Sequence, residues 1–244
     1  MKKRSKFAAF ALTLLLGITS SVSIAFAAAW SSSDQYASWS NGGYTVYNNI
    51  WGSGAGYQSI WANSYSNWGV WAQHPDTGGI KSYPNSNKEI GVKLSALKSA
   101  SSSFNVTVPT SGASFESAYD IWAGSNNAYE IMLWMNYAGG VKPISDNWSA
   151  AGDPVPAYTN VSAGGHTWNV YKGSNGSNAV YSFVRTSSTS SGTVDVLAIM
   201  NWIKGKGWFG DETLNRVQFG FEITSSPAGL NFTTNSYSVS YTKN

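Results

Sequence analysis

The chain contains no cysteine in 244 residues, which excludes disulfide staples, thiolate nucleophiles and cysteine-held metals. Histidine is nearly as scarce, with only His74 and His166. A zinc site draws on three or four His, Cys or carboxylate ligands, so no metal centre, no Ser-His-Asp triad and no cofactor are expected. Charged residues make up only 11% of the chain. Four of the 15 Lys and Arg (Lys2, Lys3, Arg4 and Lys6) stand at the very start, where there is no acid, leaving 11 basic residues against 12 acidic ones. That balance speaks against electrostatic capture of nucleic acid or an anionic membrane. Long hydrophobic runs are also missing. The single one, from Phe7 to Gly17, is shorter than the roughly 20 residues a spanning helix needs.

The basic start, this apolar run and the small-residue stretch "AFAAAW" together read as a secretory signal peptide over residues 1–29, cut after Ala27 or Ala29. No Cys follows to carry a lipid. The expectation is a secreted, extracellular protein of residues 30–244, without a membrane anchor and monomeric, large enough to bury its own core.

Aromatics and glycine are abundant: 12 Trp, 14 Tyr and 25 Gly. Aromatic faces set among Asn, Ser and Thr suit a neutral polyhydroxylated ligand, because sugar rings stack on Trp and Tyr while their hydroxyls take hydrogen bonds. A β-rich exported protein without such a ligand has the same composition, so both readings stay open at this level. Short alternating runs such as "GGYTVYNNIWG", "ESAYDIWAG", "YEIMLWMNY" and "RVQFGFEIT", broken by Gly, Asn and Ser clusters, predict an all-β antiparallel sandwich of two sheets. "SGTVDVLAIMNWIKGKGW" differs: Val196, Leu197, Met200 and Ile203 recur at helical spacing and Gly205 marks a stop, which predicts a single helix against a sheet. No repeat or linker divides the chain, so one domain is expected.

Most of the acids sit in polar turns, but three lie inside strand patterns. Side chains of one parity share one face of a strand. Glu130 therefore lies with Met132, Trp134 and Asn136, opposite the more apolar Tyr129, Ile131, Leu133 and Met135. Glu222 lies with Gln218, Gly220 and Thr224, opposite Phe219, Phe221 and Ile223. Asp120 lies with Glu116, Ala118 and Trp122, opposite Phe115, Tyr119 and Ile121. Each acid thus occupies the face turned away from the core. If the strands are neighbours, that face is a cleft holding the pair of carboxyls that glycoside hydrolysis requires; otherwise these are ordinary half-exposed strand acids.

The segments "YEIMLW" and "QFGFEI" resemble the two active-site signatures of glycoside hydrolase family 12. "NNIWG", "IKSYPN", "AYDIW", "VKPIS" and "VYSFV" resemble further segments of that family in the same order, from about Asn48 to Ile223. The resemblance implies a single-domain β-jelly-roll of two curved antiparallel sheets and endo-hydrolysis of β-1,4-glucans (xyloglucan, mixed-linkage glucan or amorphous cellulose) with retained configuration. It also implies roles. Glu130 would be the nucleophile, Glu222 the general acid/base, and Asp120 the hydrogen-bond partner of the nucleophile. Asn49, Trp51, Met132, Trp134 and Pro143 would hold the polysaccharide, Pro143 from a cleft loop in which Lys142 departs from the glycine common in the family. The competing readings are a non-catalytic carbohydrate-binding jelly roll and a xylanase of similar architecture.

Overall fold

The computed structural model describes residues 27–244; the predicted signal segment lies outside the described residues except for its last three. The strands are β1 (Trp30–Ser32), β2 (Ser38–Asn41), β3 (Tyr44–Tyr47), β4 (Tyr57–Ala62), β5 (Trp68–Gln73), β6 (Asn85–Lys93), β7 (Leu97–Thr107) and β8 (Ser114–Ala123). They continue with β9 (Tyr129–Ala138), β10 (Tyr158–Ala163), β11 (His166–Ser174), β12 (Ala179–Arg185), β13 (Ser191–Asp195), then helix α1 (Val196–Gly205), β14 (Thr213–Ser225) and β15 (Leu230–Lys243). A six-stranded sheet has the order β1-β4-β5-β15-β7-β13, and a nine-stranded sheet the order β10-β11-β12-β9-β8-β14-β6-β3-β2.

Pairing is antiparallel as expected, with one exception: β12 runs parallel to β9. The cause is connectivity. The chain leaves β9 through residues 139–157 and returns by way of the β10–β11 hairpin, so it enters β12 from the end at which β9 began.

The core lies between the sheets, and strand parity builds it. Ile131, Leu133 and Met135 of β9, Phe115, Tyr119 and Ile121 of β8, and Phe219, Phe221 and Ile223 of β14 are all buried there. They meet Trp68, Phe104, Phe232 and Tyr237 from the other sheet. Each of these rings brings a large apolar area out of water, on the order of 2 kcal/mol apiece. On the opposite face of the nine-stranded sheet a smaller cluster forms from Ala118, Met132, Trp134, Val180 and Val184, with Val141, Ile144 and Tyr171 against it.

Helix α1 is capped by Asp195, whose side chain accepts from the Ala198 N–H at 2.9 Å, and Lys204 stands in its last turn, where a cation suits the helix dipole. Its buried stripe is Val196, Ile199, Met200 and Ile203. Ile199 takes the place predicted for Leu197, which is only partly covered, because i, i+3, i+4 and i+7 form the narrower face.

Candidate active site

The register of β8, the strand between β9 and β14, sets out the site. Trp122 stands opposite Glu130, Asp120 opposite both Met132 and Gln218, and Glu116 opposite Glu222. On a flat sheet the six steps along β8 from Glu116 to Trp122 would hold the ends of this row about 20 Å apart. Glu130 and Glu222 nevertheless line one cleft of about 340 Å³, and the charge of Glu130 raises the pKa of Glu222. The nine-stranded sheet is therefore bent across this face, turning the row of acids inward.

Asn49, Trp51, Met132 and Trp134 line the same cleft as Asp120, Glu130 and Glu222. Trp51 keeps 49% of its surface exposed, an apolar ring at the rim with no protein partner on its outer side. Pro143 is placed differently from expectation. It is buried and faces a neighbouring groove with Tyr137, Pro154 and Tyr171, while Lys142 and Ile144, on either side of it, line the cleft. Alternation along the loop turns Pro143 away. The Lys142 ammonium is held by Asp153 at 3.0 Å and by the Gly152 carbonyl at 2.8 Å.

Two strap-like segments bring the rim residues in. Trp51 and Gly52 donate their backbone N–H groups to the Lys81 carbonyl, and the Asn49 side chain donates to the Tyr83 carbonyl at 3.0 Å. Asn49 itself takes a left-handed φ of 45°, a conformation Asn tolerates better than most residues. Tyr83 lines the cleft and its hydroxyl donates to the Ala118 carbonyl at 3.2 Å. Under this rim, buried His74 accepts from the Gly56 N–H at Nδ1 (3.0 Å), which leaves Nε2 as the donor toward Gln58 at 3.0 Å. Burial, reinforced by the charge of Lys81, lowers the His74 pKa to about 4.

The acids occupy dry surroundings. Burial pushes Asp120 well above the ordinary carboxylate range, and the charges of Glu130 and Glu222 add to this. Burial also raises Glu130, but the Asn175 side-chain amide donates to Glu130 Oε2 at 2.9 Å and opposes the shift by stabilising the anion. Glu222 is raised well above its usual value by burial, then by the charge and hydrogen bond of Glu116, then by the charge of Glu130. All three are raised, Asp120 and Glu222 the more strongly, so Glu130 with its amide donor is the first of the three to ionise, and like groups are set apart for two roles.

Sequence reading did not assign Glu116, Tyr83, Trp122, Lys142, Asn175 or Gln218 to the site, and all of them line the cleft. Parity had already put Glu116 and Gln218 on the correct face. Asn175 carries no local signal, since it reaches Glu130 from the β11–β12 turn, 45 residues away in the chain.

A β-sandwich whose bent sheet lines an aromatic cleft with several buried carboxyls defines the protein as a β-jelly-roll glycoside hydrolase. Residues 42–241 match the glycosyl hydrolase family 12 profile, and the chain belongs to that family. It is 35% identical over 214 residues to xyloglucan-specific endo-β-1,4-glucanase A of Emericella nidulans, covering 82% of this chain and 86% of that protein. Among solved structures it is similar to the xyloglucanase domain of NopAA, a type three effector from Sinorhizobium fredii in complex with cellobiose. That match has 48% identity and a TM-score of 0.84 over 88% of this chain and 99% of the other. Trichoderma harzianum endoglucanase 3 matches at 26% identity and a TM-score of 0.75, over 87% and 97% of the two chains.

Proposed function

We propose that the protein is a secreted, monomeric endo-β-1,4-glucanase that cleaves xyloglucan with retention of configuration. The observation that carries this reading is the grouping of Glu130, Glu222 and Asp120 in one cleft, where burial raises all three carboxyls, Asp120 and Glu222 most, while the Asn175 amide opposes the shift at Glu130. Glu130, ionised and oriented by Asn175, attacks the anomeric carbon while Glu222 gives its proton to the departing glycosidic oxygen. The C–O bond to the leaving sugar breaks as the Glu130–sugar ester forms. Glu222, now a carboxylate, takes a proton from water, which attacks the same carbon and frees Glu130. Asp120 donates a hydrogen bond to Glu130, Met132 and Trp134 floor the cleft, and Trp51 stacks on a sugar ring at the rim. Xyloglucan is favoured by the names of the similar proteins.

Release of reducing ends from xyloglucan, carboxymethylcellulose, barley glucan and xylan tests the substrate, and proton NMR of the early hydrolysate tests the stereochemistry. The expected outcome is fastest release from xyloglucan with the β-anomer formed first. Release from xylan alone points to a xylanase, binding without release points to a non-catalytic sugar-binding protein, and an initial α-anomer rules out Glu130 as a covalent nucleophile.

A further inference from the structure

Glu116 is the fourth acid of the cleft and has no role in the reaction as described above. It stands directly opposite Glu222 across the β8–β14 ladder, and the two residues are only 2% and 7% exposed. Oε2 of each carboxyl is buried with no hydrogen-bond partner, and the two side chains are within hydrogen-bonding reach of each other. Two carboxyls so placed can bond to each other only if one holds a proton. Among the described residues no ion pair reaches either of them.

The other titratable groups around the pair do not neutralise it. Asp120 lies on β8, Glu130 and Tyr137 on β9, with Tyr137 the register partner of Glu116. Tyr83 comes from the strap before β6, and Lys142, already committed to Asp153, comes from the loop after β9. A doubly ionised pair in this setting is strongly disfavoured.

We propose that Glu116 is a positioning residue that shares a single proton with Glu222 and thereby sets the pH range over which Glu222 serves first as acid and then as base. The inference rests on the assignment of Glu222 as the general acid/base. In the resting enzyme Glu222 carries the proton and donates it to the Glu116 carboxylate. When Glu222 passes that proton to the leaving oxygen, both carboxyls are briefly ionised side by side. The repulsion makes Glu222 a stronger base, and taking a proton from the attacking water restores the shared state. The pair titrates as a unit rather than as two separate residues.

Glu116→Gln tests the idea, because its amide donates to Glu222 and favours the carboxylate. The alkaline limb of kcat/KM should move down by about one pH unit, a tenfold loss on the alkaline side, with little change in KM. In the wild-type enzyme labelled with carbon-13 at the Glu carboxyls, NMR should show the two groups titrating in linked steps. An unmoved alkaline limb in a folded Glu116→Gln variant, or independent titration of Glu116 in the wild type, overturns the proposal even if that variant cannot be produced. Glu222→Gln separates the two levels. If it abolishes glucan hydrolysis while Glu116→Gln leaves the profile unmoved, only the shared proton is wrong. If it retains wild-type turnover, the assignment of Glu222 fails and the inference with it.

Discussion

Asp120 is a case in which burial sets a residue's chemistry. It is 6% exposed, lies between Met132 and Gln218 in the ladder, and has one oxygen without a partner. Ionising it beside Glu130 would put two charges in one dry site, so its neutral form is favoured and it has a proton to donate. Asp120→Asn keeps a donor of similar size and should retain a measurable share of activity. Asp120→Ala removes the donor and should be slower than the Asn variant by on the order of 100-fold, the scale of losing one oriented donor in an active site. The acidic limb of its kcat/KM profile should also move to higher pH, because Glu130 loses the bond that favours its charged form. Equal rates and profiles in the two variants would reduce Asp120 to an ordinary strand acid.

At the level of elements, the cleft depends on the strap before β6, which runs antiparallel alongside β14 at close range. The Phe221 N–H donates to the Pro84 carbonyl at 3.1 Å, and Gly220 makes that approach possible. A Cβ on Gly220 would come within 2.8 Å of the Asn85 Cα and closer still to the Pro84 carbonyl. These are backbone atoms, so a rotamer change cannot relieve the clash. Gly220→Ala should therefore lower stability by about 1 to 3 kcal/mol, measured by denaturant unfolding. It should also lower kcat on xyloglucan, because the displaced strand carries Glu222 two residues further on. Wild-type stability in this variant would mean that the strap gives way easily and does not hold Glu222 in place.

For the whole molecule, the buried titratable groups make stability depend on pH in two opposite directions. Glu116 titrates at about 7 in the folded protein against an ordinary 4.5, and Glu222 is raised as well. Between those values the unfolded chain has released protons that the folded one keeps, so these groups lower stability as pH rises through that window. His74 acts the other way. Its folded value near 4 against 6.5 means that the unfolded chain binds the extra proton, and stability falls as pH drops from about 6.5 to about 4. Replacing Glu222 with Gln removes one acid that resists ionisation. The variant's thermal midpoint should exceed that of the wild type by a few degrees at pH 8, the scale of about 1 kcal/mol in a domain of this size. The gain should shrink toward pH 4.5, where Glu222 keeps its proton in the wild type and is as uncharged as the Gln that replaces it. A gain independent of pH would mean that it arises from packing rather than ionisation.

The alternation in "YEIMLWMNY", "ESAYDIWAG" and "QFGFEIT" determined by itself which side chains enter the core and which acids turn away from it, because strand parity is a property of each residue and its immediate neighbours. The helix was legible for the same reason from its apolar spacing, with Ile199 in the buried stripe in place of Leu197; its Asp195 cap was seen only in the structure. Tertiary structure decided that Glu116 meets Glu222, that Asn175 reaches Glu130, that Lys142 rather than Pro143 faces the cleft, and that β12 lies parallel to β9. It also decided that the sheet bends far enough to bring the ends of the acid row into one pocket. The carboxyl pair and the Asn175 contact depend on the register between strands and on contacts from 45 to more than 100 residues apart in the chain. Long-range pairing, rather than any local pattern, turned a face carrying several acids into a site where they act on one another's protons.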